Sequence, residues 1–110
     1  MEKLESLSTQ EKEQLIHYLG KLYRKGSVHE AFMKQGMVED HPVQENDMEI
    51  TALLRLILRQ MNREYAMIIL NDFFEVKERG WWHSIYSRSS YNRCKKEAVD
   101  LLLNRLYTAQ

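Results

Sequence analysis

The chain has 110 residues, of which 44% are hydrophobic and 29% are charged, with one proline and four glycines. This length and composition are typical of one folded domain spanning residues 1–110, and they exclude a largely disordered chain. Lys and Arg number 16 and Asp and Glu also number 16, so no overall charge attracts the protein to nucleic acid or to a membrane. Any such attraction must come from a local surface.

The N-terminal segment 8–36 is predicted to contain two helices. Ser8 and Glu11 fit a capping box, in which each side chain satisfies a free backbone amide of a starting helix. Gly26 predicts the end of this helix, and Ser27 can cap a second, shorter helix that Gly36 ends. Apolar residues recur at helical spacing between these signals, at Leu15, Ile16, Leu19, Leu22 and Tyr23.

The middle of the chain is predicted to be a loop over residues 37–47, followed by core helices over residues 48–74. The loop contains Pro42 and no apolar periodicity, and Asn46 or Asp47 fits as the cap of the next helix. Asn62 is expected to interrupt the helical stretch and to cap its second half, which is apolar nearly all round and therefore buried. The first half has one apolar face, formed by Ile50, Leu53, Leu54, Ile57, Leu58 and Met61.

The C-terminal segment 81–107 is predicted to be a helix-turn-helix. A charged loop over residues 75–80 precedes a short helix over residues 81–86, a serine-rich corner and a last helix over residues 89–107. The expected buried stripe of this last helix consists of Tyr91, Cys94, Ala98, Leu101 and Leu102. No segment alternates in the way a strand does, so the sequence predicts an all-α, compact bundle of five or six helices.

The last helix also carries a basic face. Asn92 can pair with the edge of an adenine and Arg93 with the edge of a guanine in the major groove of DNA. The hydroxyls and free amides at the start of the helix suit a phosphate oxygen, and Lys77, Arg79 and His83 would flank the site and contact phosphates. The candidate DNA-binding residues are Arg88, Ser89, Ser90, Asn92, Arg93, Lys96, Lys77 and Arg79.

Each of these features also has an interpretation without DNA. Basic residues are common on the solvated face of a surface helix, and serines are common helix caps. Trp81 and Trp82 are more typical of core anchors than of platforms for bases, so at least one indole should be largely covered. Cys94 lies on the apolar stripe and is most simply a small core residue.

Residues 61–103 resemble the helix-turn-helix of sigma-factor region 4 and, more closely, small phage regulators of the ArpU type. In those families an Arg-Glu-Tyr-like segment opens a buried helix, as Arg63-Glu64-Tyr65 does here. A serine-rich corner then leads into a basic helix with an Ala-x-x-x-Leu pattern, which matches Ser87-Arg88-Ser89-Ser90 and Ala98 with Leu102. The Trp81-Trp82 pair and the absence of a glycine in the turn depart from the pattern. The resemblance implies DNA binding and transcriptional regulation.

The sequence contains no enzyme motif and no paired metal-ligand spacing, so we expect neither catalysis nor a cofactor. The Glu39-Asp40-His41 cluster is more typical of a solvated acidic loop than of a metal site. The single cysteine and the charged N-terminus without a signal-peptide pattern predict a cytoplasmic protein, and no apolar segment is long enough to span a membrane.

Two functions from different classes are consistent with these patterns. The first is a small transcriptional regulator that binds double-stranded DNA, as a homodimer or beside RNA polymerase, because one neutral domain makes few phosphate contacts. The second is a non-catalytic protein-interaction module, with the helix-turn-helix kept as a scaffold and a partner groove lined by the aromatic residues Phe73, Phe74, Trp81 and Trp82. A basic patch at Arg88, Arg93 and Lys96 favours DNA, whereas its neutralisation by Glu75, Glu78 or Asp100 favours the scaffold.

The end of the last helix raises the question of a dimer. Residues 101–107 carry more apolar side chains than one stripe needs, and Leu103 should fall outside the stripe that Ala98 and Leu102 define. The surplus can dock against the N-terminal helix or form a two-fold contact with a second copy.

Overall fold

The computed structural model describes residues 6–34, 36 and 45–108. This part of the chain is all-α, as predicted, with no strand. It contains four α-helices and one π turn: α1 (Thr9–Lys34), α2 (Glu45–Gln60), α3 (Arg63–Ile69), the π turn (Leu70–Phe74) that follows α3 directly, and α4 (Arg88–Thr108). None of these helices combines the length and the apolar content needed to cross a bilayer.

Helix α1 begins at the predicted capping box but does not end where the sequence suggests. The amide of Ser8 donates to Glu11 Oε1 over 3.0 Å, and the amide of Glu11 donates to Ser8 Oγ over 3.1 Å. The predicted stop at Gly26 is wrong, because α1 continues through it to Lys34. Ser27 caps no second helix; its hydroxyl instead accepts a hydrogen bond from Arg55 Nη2 of α2 over 3.0 Å. Gly36, beyond the helix end, is left-handed with φ +71°.

Helix α2 begins earlier than predicted. It starts at Glu45, so Asn46 and Asp47 lie within its first turn and do not precede it as caps. The predicted loop therefore loses its last three positions, 45–47, to the helix. Residues 37–44, which include the Glu39-Asp40-His41 cluster, lie outside the described part of the chain.

The core is formed by all four helices and the π turn. Asn62 interrupts the central helices as predicted: its Oδ1 accepts the amide of Glu64 over 2.9 Å and caps α3. The predicted apolar face of α2 is confirmed, with its first residues, Ile50 and Leu53, packed partly buried against the core. The buried core consists of Ile16, Leu54, Ile57, Leu58, Met61, Ile69, Phe73, Phe74, Ala98, Val99, Leu102 and Leu103.

Helix α1 passes very close to the π turn. Gly20 faces this turn, and a Cβ atom added to it would lie 3.0 Å from the carbonyl carbon of Phe73 and closer still to its oxygen. One turn further, Arg24 Nη1 donates to the carbonyl oxygens of Phe73 and Phe74 over 3.0 and 2.6 Å. These carbonyls end a helical stretch and would otherwise have no partner there, so Arg24 stabilises the end of the π turn. Val76, with φ +53°, then turns the chain away in a conformation that usually needs glycine.

Helix α4 packs against α1, and this contact bears on whether the additional apolar side chains of residues 101–107 are buried. Lys12 Nζ of α1 pairs with Asp100 Oδ1 of α4 over 2.9 Å. Leu103 is only 5% exposed and Val99 is also buried, so the prediction that Leu103 falls outside the buried stripe is wrong. The buried surface of α4 is wider than one stripe because three helices, α1, α2 and α3, contact it.

Candidate nucleic-acid interface and the adjoining groove

The first three turns of α4 present one exposed polar face. Arg88, Ser89, Asn92, Arg93 and Lys96 are all exposed, and their spacing of i, i+1, i+4, i+5 and i+8 places them on one side of the helix. Of the residues predicted for this helix, Ser90 differs, because it is only partly exposed. The exposed face therefore carries two basic side chains, Arg93 and Lys96, beside the side-chain amide of Asn92, and Arg88 lies at the start of the helix.

The helix start is capped by Ser87, and the expectation that Ser89 or Ser90 is the cap is wrong. Helix α4 already includes Arg88, and the amide of Ser90 donates to Ser87 Oγ over 3.3 Å. The amide of Tyr91 donates to the carbonyl oxygen of Ser87 over 2.9 Å. Because Ser87 takes the capping role, the Ser89 hydroxyl is left at the exposed surface, where it lies 3.5 Å from Ser87 Oγ.

The basic side chains of this face have no ion-pair partner among the described residues. Within the described residues, no ion pair involves Arg88, Arg93 or Lys96. The nearby acids on α4 have other partners: Asp100 pairs with Lys12, and Glu97 accepts a hydrogen bond from the Tyr65 hydroxyl. The surface expected to distinguish a DNA-binding helix from a scaffold is thus not neutralised by Asp100, nor does Glu75 or Glu78 form an ion pair with it.

The connection from the π turn to α4, residues 75–87, contains successive turns where a short helix over residues 81–86 was predicted. Amides donate from Trp81 to the Glu78 carbonyl over 3.2 Å, from His83 to Gly80 over 3.0 Å, and from Tyr86 to Trp82 over 2.9 Å. Gly80, just before this segment, has φ +82°, which few other residues adopt. The predicted helix does not form, and both indoles instead contact one ring outside the segment.

That ring belongs to Tyr91 of α4, which anchors the connection. Trp82 stacks on it with 4.2 Å between ring centroids and 8° between planes, and Trp81 meets it edge-on at 6.2 Å. Both tryptophans are partly buried, while Phe73 and Phe74 are 1% and 0% exposed. The predicted partner groove lined by all four aromatics is therefore wrong, because Phe73 and Phe74 belong to the core.

Asp72 of the π turn joins three elements of the fold. Its Oδ1 accepts the indole N–H of Trp81 over 2.7 Å, and its Oδ2 accepts the Tyr91 hydroxyl. Lys95 Nζ lies 3.5 Å from the same Oδ2 and 3.7 Å from Glu13 Oε1 of α1. Burial of Tyr91 raises the pKa of its hydroxyl, and the hydrogen bond to Asp72 raises this pKa further.

Tyr91→Phe should report on this arrangement, since it removes the hydroxyl and keeps the stacked ring. At pH 7 we expect a loss of about 1.5–3 kcal/mol in the free energy of unfolding, the usual contribution of a hydrogen bond to a charged group. Folding raises the pKa of Tyr91, so the folded protein retains this proton at pH values where the unfolded chain has lost it. The parent should therefore lose stability above about pH 10, by up to about 1.4 kcal/mol per pH unit from this group, and the variant should lose less.

Urea unfolding between pH 7 and pH 11 measures both effects. Tyr18→Phe is the matched control, because Tyr18 is 60% exposed, and it should follow the parent. Parallel curves for the parent and Tyr91→Phe above pH 10 would contradict the buried hydrogen bond.

A groove of about 860 Å³ lies between α1, the connection and α4. Lys77 and Arg79 line this groove, together with Trp82 and His83 of the connection, and Tyr91 and Lys95 form its α4 side. Lys77 and Arg79, both predicted to contact DNA, are thus exposed but stand beside the α4 face and not on it.

The sequence reasoning missed the cluster of Asp72, Tyr91 and Lys95. One signal was available: Asp72 is an acid within an otherwise apolar segment, and a carboxylate at such a position needs partners. Lys95 has no sequence signal that separates it from the solvated basic residues of α4, yet its ammonium lies 5.2 Å from the Phe73 ring and 5.7 Å from the Tyr91 ring. Cys94 is partly buried.

No three His, Cys, Asp or Glu side chains of the described residues come together in a way that could hold a metal ion. Comparison with known proteins finds no protein-family model, no curated protein and no solved structure that matches this chain.

Proposed function

We propose that this protein is a small DNA-binding transcriptional regulator that binds duplex DNA through the exposed face of α4. One observation carries the proposal: Arg88, Arg93 and Lys96 are exposed together with Ser89 and Asn92 on one helix face, and no acid of the described residues forms an ion pair with the three basic groups. Unpaired basic groups on a helix suit the major groove, because no internal ion pair must break before DNA binds.

In this proposal α3, the connection and α4 act as a helix-turn-helix of the type found in sigma-factor region 4 and in ArpU-type phage regulators. The packing of α3 on α4 supports this proposal, because the Tyr65 hydroxyl of α3 donates a hydrogen bond to Glu97 of α4. The connection 75–87 is much longer than the usual turn of about three or four residues. Lys77 and Arg79 on this longer connection would contact phosphates beside the helix, together with Ser89 and Ser90 at the helix start.

The proposed partners follow from the zero net charge. A neutral domain with one basic helix makes few phosphate contacts, so we propose that it acts as a homodimer or beside RNA polymerase in the cytoplasm. A dimer contact through Leu103 has no support, since Leu103 is already buried within the monomer. Light scattering at high protein concentration distinguishes the dimer from the monomer.

The test is a titration of DNA binding against salt, with two variants of the α4 face. Arg93→Ala should weaken binding by about 1–3 kcal/mol and relax the preference at one base pair, as expected for a contact to a base. Lys96→Ala should weaken binding about equally on all sequences and reduce the salt dependence by roughly one counterion, as expected for a phosphate contact.

Lys21→Ala is the matched control, because it removes one exposed positive charge from α1, outside the α4 face. It should bind DNA like the parent. If the parent binds no DNA at low salt, or if both α4 variants bind like the parent, the DNA-binding proposal is wrong and a protein-interaction scaffold takes its place.

A further inference from the structure

We propose that the groove between α1, the connection and α4 is a second binding site, and that it takes a nucleoside phosphate. The groove has a volume of about 860 Å³, within the usual range for small-molecule sites. Its walls come from α1, the connection and α4, and its α4 side is formed by Tyr91 and Lys95 and not by the exposed face. None of Asn92, Arg93 and Lys96 lines it.

The charges around the groove favour an anion. Lys77 and Arg79 of the connection are exposed, and neither forms an ion pair with any described residue. Asp72, which also lines the groove, already accepts hydrogen bonds from Trp81 and Tyr91 and pairs with Lys95. With Lys95 and Asp72 paired, the other charged residues lining the groove are two bases, Lys77 and Arg79, and one acid, Glu78, so the remaining charge is positive.

Lys95 lines the groove from its α4 side and is more buried than Lys77 and Arg79. Its ammonium lies 3.5 and 3.7 Å from the nearest carboxylate oxygens, longer than the about 2.7–2.9 Å of a strong charge-assisted hydrogen bond. An ammonium has three N–H donors, so Lys95 can donate to a ligand oxygen while it keeps its place beside Asp72. A phosphate has several oxygens and can accept from more than one of the basic side chains that line the groove.

The aromatic wall favours a ligand that also carries a flat ring. The face-to-face stack on Tyr91 fixes the plane of the Trp82 indole, His83 meets the indole at 71° with 4.3 Å between ring centroids, and the partly exposed indole lines the groove. Nucleic-acid bases stack readily on such aromatic side chains. Basic groups and a fixed indole in one groove together select a phosphate and an aromatic ring in the same molecule, which is the chemistry of a nucleoside phosphate.

The experiment titrates the full chain with AMP, adenosine, inorganic phosphate and sulfate at constant ionic strength, followed by tryptophan fluorescence and by calorimetry. We expect AMP to bind at least about tenfold more tightly than adenosine, phosphate or sulfate, because only AMP uses both walls. The double variant Lys77→Ala/Arg79→Ala should lose at least about tenfold in affinity for AMP, since two charge-assisted contacts disappear. Both residues are exposed, and an unchanged melting temperature verifies the fold of the variant.

Arg93→Ala is the control that separates this site from the α4 face: it should weaken DNA binding and leave AMP binding unchanged. The proposal is overturned if the parent shows no saturable AMP binding at millimolar concentration, or if adenosine, phosphate or sulfate binds as tightly as AMP. It is also overturned if the double variant binds AMP like the parent, or if Arg93→Ala reduces AMP binding as much as the double variant does.

Discussion

Replacement of Leu54 by Asp is expected to unfold the protein. Leu54 of α2 is 0% exposed, and its neighbours are the apolar side chains of the core. An unpaired carboxylate at such a position costs several kcal/mol, a large part of the about 5–15 kcal/mol by which domains of this kind are usually stable. Thermal unfolding followed by circular dichroism should show no cooperative transition, or one displaced far below that of the parent.

Leu56→Asp is the matched control on the same helix. Leu56 is 50% exposed, so the same new charge remains in water and should change the free energy of unfolding by no more than about 0.5 kcal/mol. If Leu54→Asp melts like Leu56→Asp, α2 does not lie at the centre of the bundle.

The second large effect is expected from Gly20→Ala in α1. Helix propensity alone predicts that this change stabilises the protein by about 1 kcal/mol. The structure predicts the opposite sign, because the new methyl group would overlap the backbone of Phe73. Such overpacking usually costs about 1–3 kcal/mol, and here the obstacle is main chain that cannot rotate away.

Urea unfolding measures the sign directly, with Lys21→Ala as the control at the neighbouring exposed position of α1. The control should unfold close to the parent. A Gly20→Ala protein that is more stable than the parent would mean that α1 and the π turn do not approach each other this closely.

The features that the sequence predicted correctly are those determined by neighbouring residues. The capping box at Ser8 and Glu11 and the cap at Asn62 each depend on side chains two or three positions from the amide that they satisfy. The apolar face around Leu54 and Leu58 was predictable for a similar reason, since its period follows from helix geometry alone. The exposed positions of Arg93 and Lys96 follow from the same period.

The features that the sequence did not predict depend on contacts between distant segments. Gly26 and Ser27 have the residue types of a helix end, but Ser27 bonds to Arg55 of α2 and α1 continues. The turns at Trp81 and Trp82 depend on Asp72 and on Tyr91, each nine or ten positions away along the chain. No local pattern contains this information, so the groove and its charges could not be derived before the fold was known.

The π turn at Leu70–Phe74 also makes the fold sensitive to the length of this segment. The amide of Glu75 reaches back five positions to the Leu70 carbonyl, so this turn holds one residue more than an α-helical turn. The additional residue is what allows Phe73 and Phe74 to enter the core while Asp72 reaches the groove. Deletion of one residue here would restore ordinary α-helical geometry. It would also rotate every later residue by about 100° about the helix axis. We therefore expect the π turn to tolerate substitution of Asn71 far better than the deletion or insertion of a residue.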